Sequence, residues 1–164
     1  MKKKICVIIL ALAMILSFFA CGQKSKNEAV LQSGKGEEST CTLSVSCEQI
    51  LENMSSISEE KKDLIPDDGI IYSPKEVAFV KGDTAFDVLE REMKENNIHF
   101  DFEDMPMYDS VYIKGIGNIY EFDLGELSGW TYLVNGKSPM VAISQYEIKD
   151  GDRIELVYSC NLMQ

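Results

Sequence analysis

The side chain with the clearest chemistry in this sequence is the thiol of Cys21. A basic start with Lys2 to Lys4, an apolar run over residues 5–19 and a small residue, Ala20, precede it. An apolar run of this length is typical of a signal peptide and is shorter than the ~20 residues that cross a bilayer. The small residue permits cleavage, after which the thiol accepts a diacylglyceryl group. The pattern predicts a lipoprotein signal peptide over residues 1–20 and lipidation of Cys21.

The two acyl chains of that group meet the requirement for stable membrane anchoring. We therefore expect the protein at the extracytoplasmic face of the cell membrane. Phe19 is bulkier than the residue usual at its position, and an ordinary cleaved signal or an uncleaved anchor helix is the alternative. Residues 21–40 are rich in Lys, Ser, Gly and Glu and predict a flexible tether. Residues 41–164 are long enough for one domain with its own core.

Side chains suited to catalysis are few. His99 is the only histidine and falls on the polar face of a predicted strand. Ser128 is not part of a Gly-x-Ser-x-Gly motif, and spacing alone places no carboxylate pair for acid–base catalysis. Gly115 and Gly117 lack the third glycine and the following helix of a dinucleotide site. We predict no catalytic residue and no enzymatic activity. With a single histidine and no Cys-x-x-Cys motif, we also predict no metal site.

The charge of the chain excludes one class of partner. The sequence has 16 basic and 27 acidic residues, a formal net charge of −11, and loss of Lys2 to Lys4 with the signal peptide makes the remainder more acidic. Such a charge repels nucleic-acid phosphates and anionic lipid headgroups. We therefore predict no nucleic-acid binding. The partners we expect are the membrane, through the lipid anchor, and a small molecule or a surface protein.

Hydrophobic periodicity predicts one main helix among a set of short strands. Thr84, with Asp87 three residues later, is a capping signal for that helix. Phe86, Leu89 and Met93 form its apolar stripe. Alternating or apolar runs predict strands over residues 42–46, 76–80, 98–103, 110–114, 129–134 and 153–158.

This order of elements predicts an α+β fold of the β-grasp type, in which a curved mixed sheet wraps around one main helix. In that arrangement the first and last strands lie side by side and parallel at the centre of the sheet. Asn135 and Gly136 form a strong turn signal after the strand at residues 129–134.

Aromatic residues in the second half of the chain are the candidates for binding, because Trp and Tyr combine a large apolar surface with a polar tip. Trp130 and Tyr132 share a strand face with Val134. One face of that strand must cover the helix, so core packing is the favoured interpretation for this pair and ligand binding is the alternative. Tyr108 and Tyr146 lie in predicted loops and are better surface candidates.

The C-terminal part of the sequence resembles a known domain family. The segment Gly-Trp-Thr-Tyr-Leu-Val-Asn-Gly at residues 129–136, the Lys-Asp-Gly-Asp turn at residues 149–152 and the helix start at residues 81–89 carry the resemblance. They resemble a bacterial domain family of unknown function that is related to the C-terminal domain of the vitamin B12 carriers transcobalamin and intrinsic factor. The resemblance covers residues 41–162 and implies a β-grasp module on a secreted or surface protein.

In the B12 carriers this domain closes over cobalamin held against a large helical domain. The resemblance implies a ligand-facing rim at the loops around Asn135, Gly136 and Tyr146, which join Trp130 and Tyr132 as candidate ligand-binding residues. The first hypothesis is therefore a surface-tethered binder of a small ligand, with a corrinoid such as cobalamin as the candidate. The alternative is a protein-interaction or adhesion module without a small ligand, which the lack of a helical domain in this sequence favours.

Three cysteines remain for pairing in the mature chain: Cys41, Cys47 and Cys160. An extracytoplasmic location permits disulfides. Parallel first and last strands place Cys47 and Cys160 at neighbouring strand ends, and a strand spacing of about 4.8 Å suits the ~5.5 Å Cα separation of a disulfide. Cys41 lies at the opposite end of its strand. We predict a bond between Cys47 and Cys160, with Cys41–Cys160 as the alternative if the sheet order differs.

Overall fold

The computed structural model describes residues 39–163, which form seven strands and three α-helices. The predicted signal peptide, the lipidation site Cys21 and the predicted tether up to residue 38 lie outside the described residues. The first strand begins at Ser39, so the last two residues of the predicted tether belong to the sheet. Within residues 39–163 no helix has both the length and the apolar character needed to cross a membrane.

A four-stranded mixed sheet forms the centre of the fold. It contains β1 (Ser39–Ser46), β2 (Ile70–Phe79), β6 (Gly129–Val134) and β7 (Arg153–Ser159), in the order β2-β1-β7-β6. The strands β1 and β7 are parallel, and the other two pairs are antiparallel. The predicted parallel pairing of the first and last strands is therefore confirmed. Alternate side chains of β1 and β7 point into the core and are fully buried.

The main helix, α3 (Ala85–Glu95), starts where the sequence predicted. The Thr84 hydroxyl accepts a hydrogen bond from the Asp87 N–H, and the Asp87 carboxylate accepts one from the Thr84 N–H at 2.7 Å. This reciprocal capping box satisfies two N–H groups that the first turn leaves unpaired. The helix joins β1 and β7 in one core through a buried face formed by Ala85, Phe86, Val88, Leu89, Glu92 and Met93.

The remaining strands form a second, antiparallel sheet of three strands, in the order β3-β4-β5. They are β3 (Phe100–Met105), β4 (Ser110–Ile116) and β5 (Ile119–Tyr120). The outer edge of β6 is met by the chain that follows it, because Val134 pairs with Lys137 in an isolated bridge. The strand β4 does not pair with β6 and belongs to the separate sheet.

Two short helices, α1 (Glu48–Leu51) and α2 (Glu59–Lys62), connect β1 to β2. Two 3₁₀ turns, Pro106–Tyr108 and Ile143–Gln145, lie in the loops before β4 and before β7. The predicted α+β class, with a mixed sheet and one main helix, is confirmed.

Candidate ligand-binding site

Trp130 is a core residue of β6. Its side chain is 7% exposed, its indole N–H donates a hydrogen bond to the Ile119 carbonyl at 2.9 Å, and its ring packs edge-on against Tyr158 with centroids 5.3 Å apart. A buried indole with a satisfied N–H is the usual arrangement in a protein core. The packing interpretation is the better supported one for this residue.

Tyr132, two residues further along β6, is half-buried. Its hydroxyl donates a hydrogen bond to the Val141 carbonyl at 2.5 Å. Burial, and then the neighbouring Tyr146, raises the pKa of Tyr132 to about 12. The hydroxyl therefore stays protonated at neutral pH and fastens the loop after β6 to the sheet.

Asn135 and Tyr146, both predicted to border a ligand, contact the same buried carboxylate. Asp152 accepts hydrogen bonds from the Asn135 amide at 2.8 Å, the Tyr146 hydroxyl at 2.9 Å and the Lys149 N–H at 3.0 Å. Burial by itself raises the pKa of Asp152, but these hydrogen bonds outweigh it and hold that pKa below its ordinary value. The structure thus brings Asn135 and Tyr146 together, in a network that stabilises the loops.

The turn at Asn135 and Gly136 is of the predicted type. Both residues have positive φ angles, 53° and 76°, as a two-residue I′ turn requires. A Cβ atom at Gly136 would lie 3.4 Å from an Arg153 guanidinium nitrogen in addition to straining the backbone. Gly136 therefore has a conformational role at this end of the molecule.

A narrow, mostly apolar cleft of about 180 Å³ lies between β4 and β6. Trp130 and Tyr132 line it from β6, so two of the predicted candidates do reach a cleft. The other lining residues are Val111, Tyr112, Ile113, Thr131, Ala142 and Ile143.

A wider cleft of about 590 Å³ adjoins the narrow one, because Val111 lines both. Its walls come from residues 82–84, 104–111 and 144–147. This volume falls within the range of about 300–1,000 Å³ that is usual for small-molecule sites. We refer to the two neighbouring clefts as the end cleft.

The end cleft is acidic. The carboxylates of Asp104, Asp109 and Glu147 line its wider part, and no Lys, Arg or His is among the residues that line it. None of the three carboxylates forms an ion pair within residues 39–163. A cleft lined by one sign of charge concentrates ligands of the opposite sign. The geometry therefore suits a neutral or cationic ligand better than an anionic one.

The walls of the end cleft are tied together by side chains of the second 3₁₀ turn. The Gln145 amide donates hydrogen bonds to the carbonyls of Tyr108 at 3.1 Å and Asp109 at 2.9 Å. The Ser144 hydroxyl accepts one from the Val111 N–H at 3.0 Å. These contacts hold two loops that are far apart in sequence, so the cleft exists without a ligand.

Large apolar side chains next to the end cleft face solvent. Met107 is 91% exposed, Tyr108 is 67% exposed, and Met140 is fully exposed. Sequence reasoning placed Tyr108 at the surface but missed both methionines and the three cleft carboxylates. The only local signals were Pro106 and Pro139, which mark the two loops.

Cys41, Cys47 and Cys160 are free thiols in the structure, so the predicted Cys47–Cys160 bond is not formed in it. Cys47 is fully buried, whereas the Cys160 sulfur lies beside α1, 3.5 Å from the Gln49 carbonyl oxygen and 3.6 Å from the Asn53 amide nitrogen. The helix α1 begins directly after Cys47 and supplies the Gln49 contact, and Asn53 lies two residues beyond its end. Burial raises the pKa of Cys47 to about 11, which keeps this thiol protonated and slow to exchange.

His99 is exposed, as predicted, and its Nε2 lies 2.6 Å from the Tyr120 hydroxyl. The Tyr120 ring also lies 5.2 Å from the ammonium of Lys61, which forms an ion pair with Asp123. In the part of the chain described here, no group of three or more His, Cys, Asp or Glu residues is placed to hold a metal ion.

Comparison with known proteins agrees with the resemblance seen in the sequence. Residues 82–159 match a family described as "Domain of unknown function (DUF4430)". The match runs from Gly82, two residues before the capping residue Thr84, to the end of β7, and so includes the end cleft. No curated protein matches the chain.

The crystal structure of haptocorrin in complex with Cbi is similar to this chain, with 18% sequence identity and a TM-score of 0.50. The alignment covers 78% of this chain and 27% of the haptocorrin chain, so this protein spans about a quarter of that one. A protein from Ruminococcus gnavus ATCC 29149, described as a "putative metal binding protein", aligns with 18% identity, a TM-score of 0.43 and coverage of 74% of this chain and 97% of that one. Residues 82–159 thus match this family of unknown function, and the α+β fold of the chain is similar to that of the aligned part of haptocorrin.

Proposed function

We propose that this protein is a binding module, anchored at the outer face of a membrane by lipid on Cys21, and that its ligand occupies the end cleft. The observation that carries the proposal is the wider part of that cleft, about 590 Å³ in volume and framed by three separate segments. Its connection through Val111 to the slot lined by Trp130 and Tyr132 adds an aromatic wall. Apolar and aromatic walls with a few polar groups are the usual composition of small-molecule sites.

A corrinoid such as cobalamin is the candidate ligand. The support for it is the fold shared with haptocorrin, whose crystal structure contains Cbi. The acidic lining agrees with a ligand that carries no net negative charge. Binding, and not catalysis, is the proposed activity.

An absorbance titration with cobalamin tests this function. Wild-type protein is expected to give a saturable spectral change at micromolar ligand. Val111→Trp, which fills the junction of the two clefts, is expected to weaken binding by about tenfold or more. Leu127→Trp, an equally large change at a half-exposed leucine outside the cleft linings, is the matched control and should bind like wild type.

Two results would contradict the proposal, once circular dichroism shows that both variants are folded. No spectral change at millimolar cobalamin would exclude the corrinoid. Unchanged binding by Val111→Trp would place the ligand away from the end cleft.

A protein-interaction module without a small ligand is the second candidate function. The exposed Met107, Tyr108 and Met140 favour it, because contiguous exposed apolar side chains often mark a protein interface. A negative cobalamin titration, together with partner binding that depends on these residues, would decide for this function.

A further inference from the structure

A ligand inside the end cleft leaves one surface feature unexplained. Met107, Tyr108 and Met140 line neither part of the cleft. They are nevertheless among the most exposed large apolar side chains of the described residues, together with Met163 and Val80. Water contact with such surface is unfavourable, and covering it is a main driving force for association. We call Met107, Tyr108, Met140 and Val141 the Met–Tyr patch, because the Gln145 side chain links the two loops that carry them: its amide nitrogen donates to the Tyr108 carbonyl at 3.1 Å, and its Oε1 accepts from the Ala142 N–H at 3.3 Å.

The Met–Tyr patch is held in place before any partner arrives. The Gln145 amide binds the carbonyl of Tyr108, and the Tyr132 hydroxyl binds the carbonyl of Val141, the neighbour of Met140. Gln145 and Tyr132 thus fix the backbone of the two loops, and the side chains of the patch stay free to contact a partner. A preorganised backbone lowers the entropy cost of binding.

Carboxylates surround this patch. Asp109 directly follows Tyr108, and Asp104 and Glu147 lie in the adjoining cleft, all three without an ion pair among residues 39–163. Among residues 39–163, six acidic side chains have a basic partner, namely Glu59, Asp83, Glu92, Asp101, Asp123 and Glu155, and the other acidic side chains, these three among them, have none. The surface therefore offers apolar contacts next to unpaired negative charge.

We propose that the Met–Tyr patch docks a basic segment of a partner protein. Apolar side chains of that segment cover Met107, Tyr108 and Met140, while its Lys or Arg residues lie over Asp104, Asp109 and Glu147. Methionine is flexible and polarisable and adapts to varied apolar partners. Complementary charge speeds the encounter and selects against acidic proteins.

A second copy of this chain fits the patch poorly. A symmetric dimer places the same patch on both sides of the interface. The three carboxylates of one copy would then face the same three of the other, in a chain whose net charge is already −11. A small organic cation also fits poorly, because it would leave the Met–Tyr patch uncovered.

This inference rests on the proposed function only in placing a binding surface at this end of the domain, and it does not require cobalamin. Fluorescence polarisation with full-length protein in a neutral detergent tests it. The probe is a short labelled peptide in which Arg and Leu alternate. One comparison peptide replaces each Arg by Glu, and another replaces each Leu by Ser, so charge and apolar surface are varied separately.

The Arg–Leu peptide is expected to bind, and both comparison peptides to bind at least about tenfold more weakly. Met107→Ser with Met140→Ser should weaken binding by about tenfold. Asp104→Asn with Glu147→Gln should also weaken it and reduce its salt dependence. Asp67→Asn with Glu126→Gln removes two exposed carboxylates away from the patch and should leave binding unchanged.

Equal binding of the Arg–Leu and Glu–Leu peptides, or wild-type affinity in the methionine variant, would overturn the inference. The inference would also be overturned if sedimentation showed a wild-type dimer that is absent in the methionine variant. It would be overturned as well if arginine amide displaced the labelled peptide as strongly as unlabelled peptide does. Peptide binding without cobalamin binding would refute only the corrinoid proposal. Cobalamin binding without peptide binding would refute only this inference.

Discussion

Replacing Asp152 by asparagine tests how this domain holds its end loops together. The Asp152 carboxylate is 7% exposed and accepts hydrogen bonds from the Asn135 amide, the Tyr146 hydroxyl and the Lys149 N–H. Asparagine has nearly the same shape, so the substitution removes the charge and one acceptor without leaving a cavity. The Tyr146 hydroxyl can rotate and accept a hydrogen bond from the new amide of the Asp152→Asn variant. The N–H groups of the Asn135 amide and of Lys149 can only donate.

The magnitude follows from the number of charged hydrogen bonds. A hydrogen bond to a charged group contributes a net 1.5–3 kcal/mol, roughly twice that of a neutral one. Three such bonds become neutral in Asp152→Asn, so we expect unfolding free energy to fall by about 2–3 kcal/mol at neutral pH. Tyr146→Phe removes one bond only and should cost about 1 kcal/mol. Because the two residues interact, the double variant should lose less than the sum.

Urea unfolding followed by tryptophan fluorescence measures this directly. Trp130 is the only tryptophan in the chain and packs against Tyr158 in the core, so its emission reports global unfolding. Asp67→Asn, at an exposed position, is the matched control for loss of one charge. Equal stability of Asp152→Asn and Asp67→Asn at neutral pH would refute the reasoning.

The pH dependence supplies a second test with a defined sign. The pKa of Asp152 in the folded protein lies below its ordinary value of 3.8. A group with a lowered pKa stabilises the fold above its ordinary pKa, and this contribution is lost as the pH falls through the lowered value. The stability difference between wild type and Asp152→Asn should therefore narrow below pH 3.8. A constant difference across that range would show that the charge of Asp152 is not responsible.

Three further measurements have expected outcomes. Thr84→Ala removes one half of the capping box with Asp87 and should lower the free energy of unfolding by about 1 kcal/mol in urea melts; an unchanged urea midpoint would contradict this. Mass spectrometry of membrane-extracted protein should find acylated Cys21 as the first residue, and a Cys21→Ala protein that is still processed and membrane-bound would argue against lipidation. The structure contains no bond between Cys47 and Cys160, so non-reducing peptide mapping of protein from an oxidising compartment tests the pairing predicted from the sequence. A Cys47–Cys160 cross-link, worth up to about 4.7 kcal/mol in the entropic model, is the result that the sequence predicts, and three free thiols would disprove the pairing.

The elements with strong local signals were predictable from the sequence. The capping residues Thr84 and Asp87 and the apolar stripe of α3 depend on neighbours within a few positions, so periodicity alone locates that helix. The parallel pairing of β1 with β7 followed from the order of elements. The split into two sheets did not, because the pairing of strands that are distant in sequence leaves no local pattern.

The candidate site was predictable only in part. Trp130 and Tyr132 do line the end cleft. Asn135 and Tyr146 instead donate hydrogen bonds to the buried carboxylate of Asp152, which the sequence indicates only as a residue of a predicted turn. The burial of Asp152 arises from contacts between distant segments. The acidic wall likewise joins Asp104 to side chains some forty residues away, and no local pattern marks such a combination.

Three consecutive residues show how stability and binding are divided at this end of the domain. Gln145 holds the loop that carries Tyr108, Tyr146 binds Asp152 in the core, and Glu147 lines the cleft. Since the side chain of Glu147 has no ion pair in the described part of the chain, its replacement by glutamine should alter cleft charge without lowering stability. Asp152→Asn should lower stability without altering the charge of the cleft lining. Binding lost in the first variant at unchanged stability can therefore be assigned to charge, and not to a loosened loop.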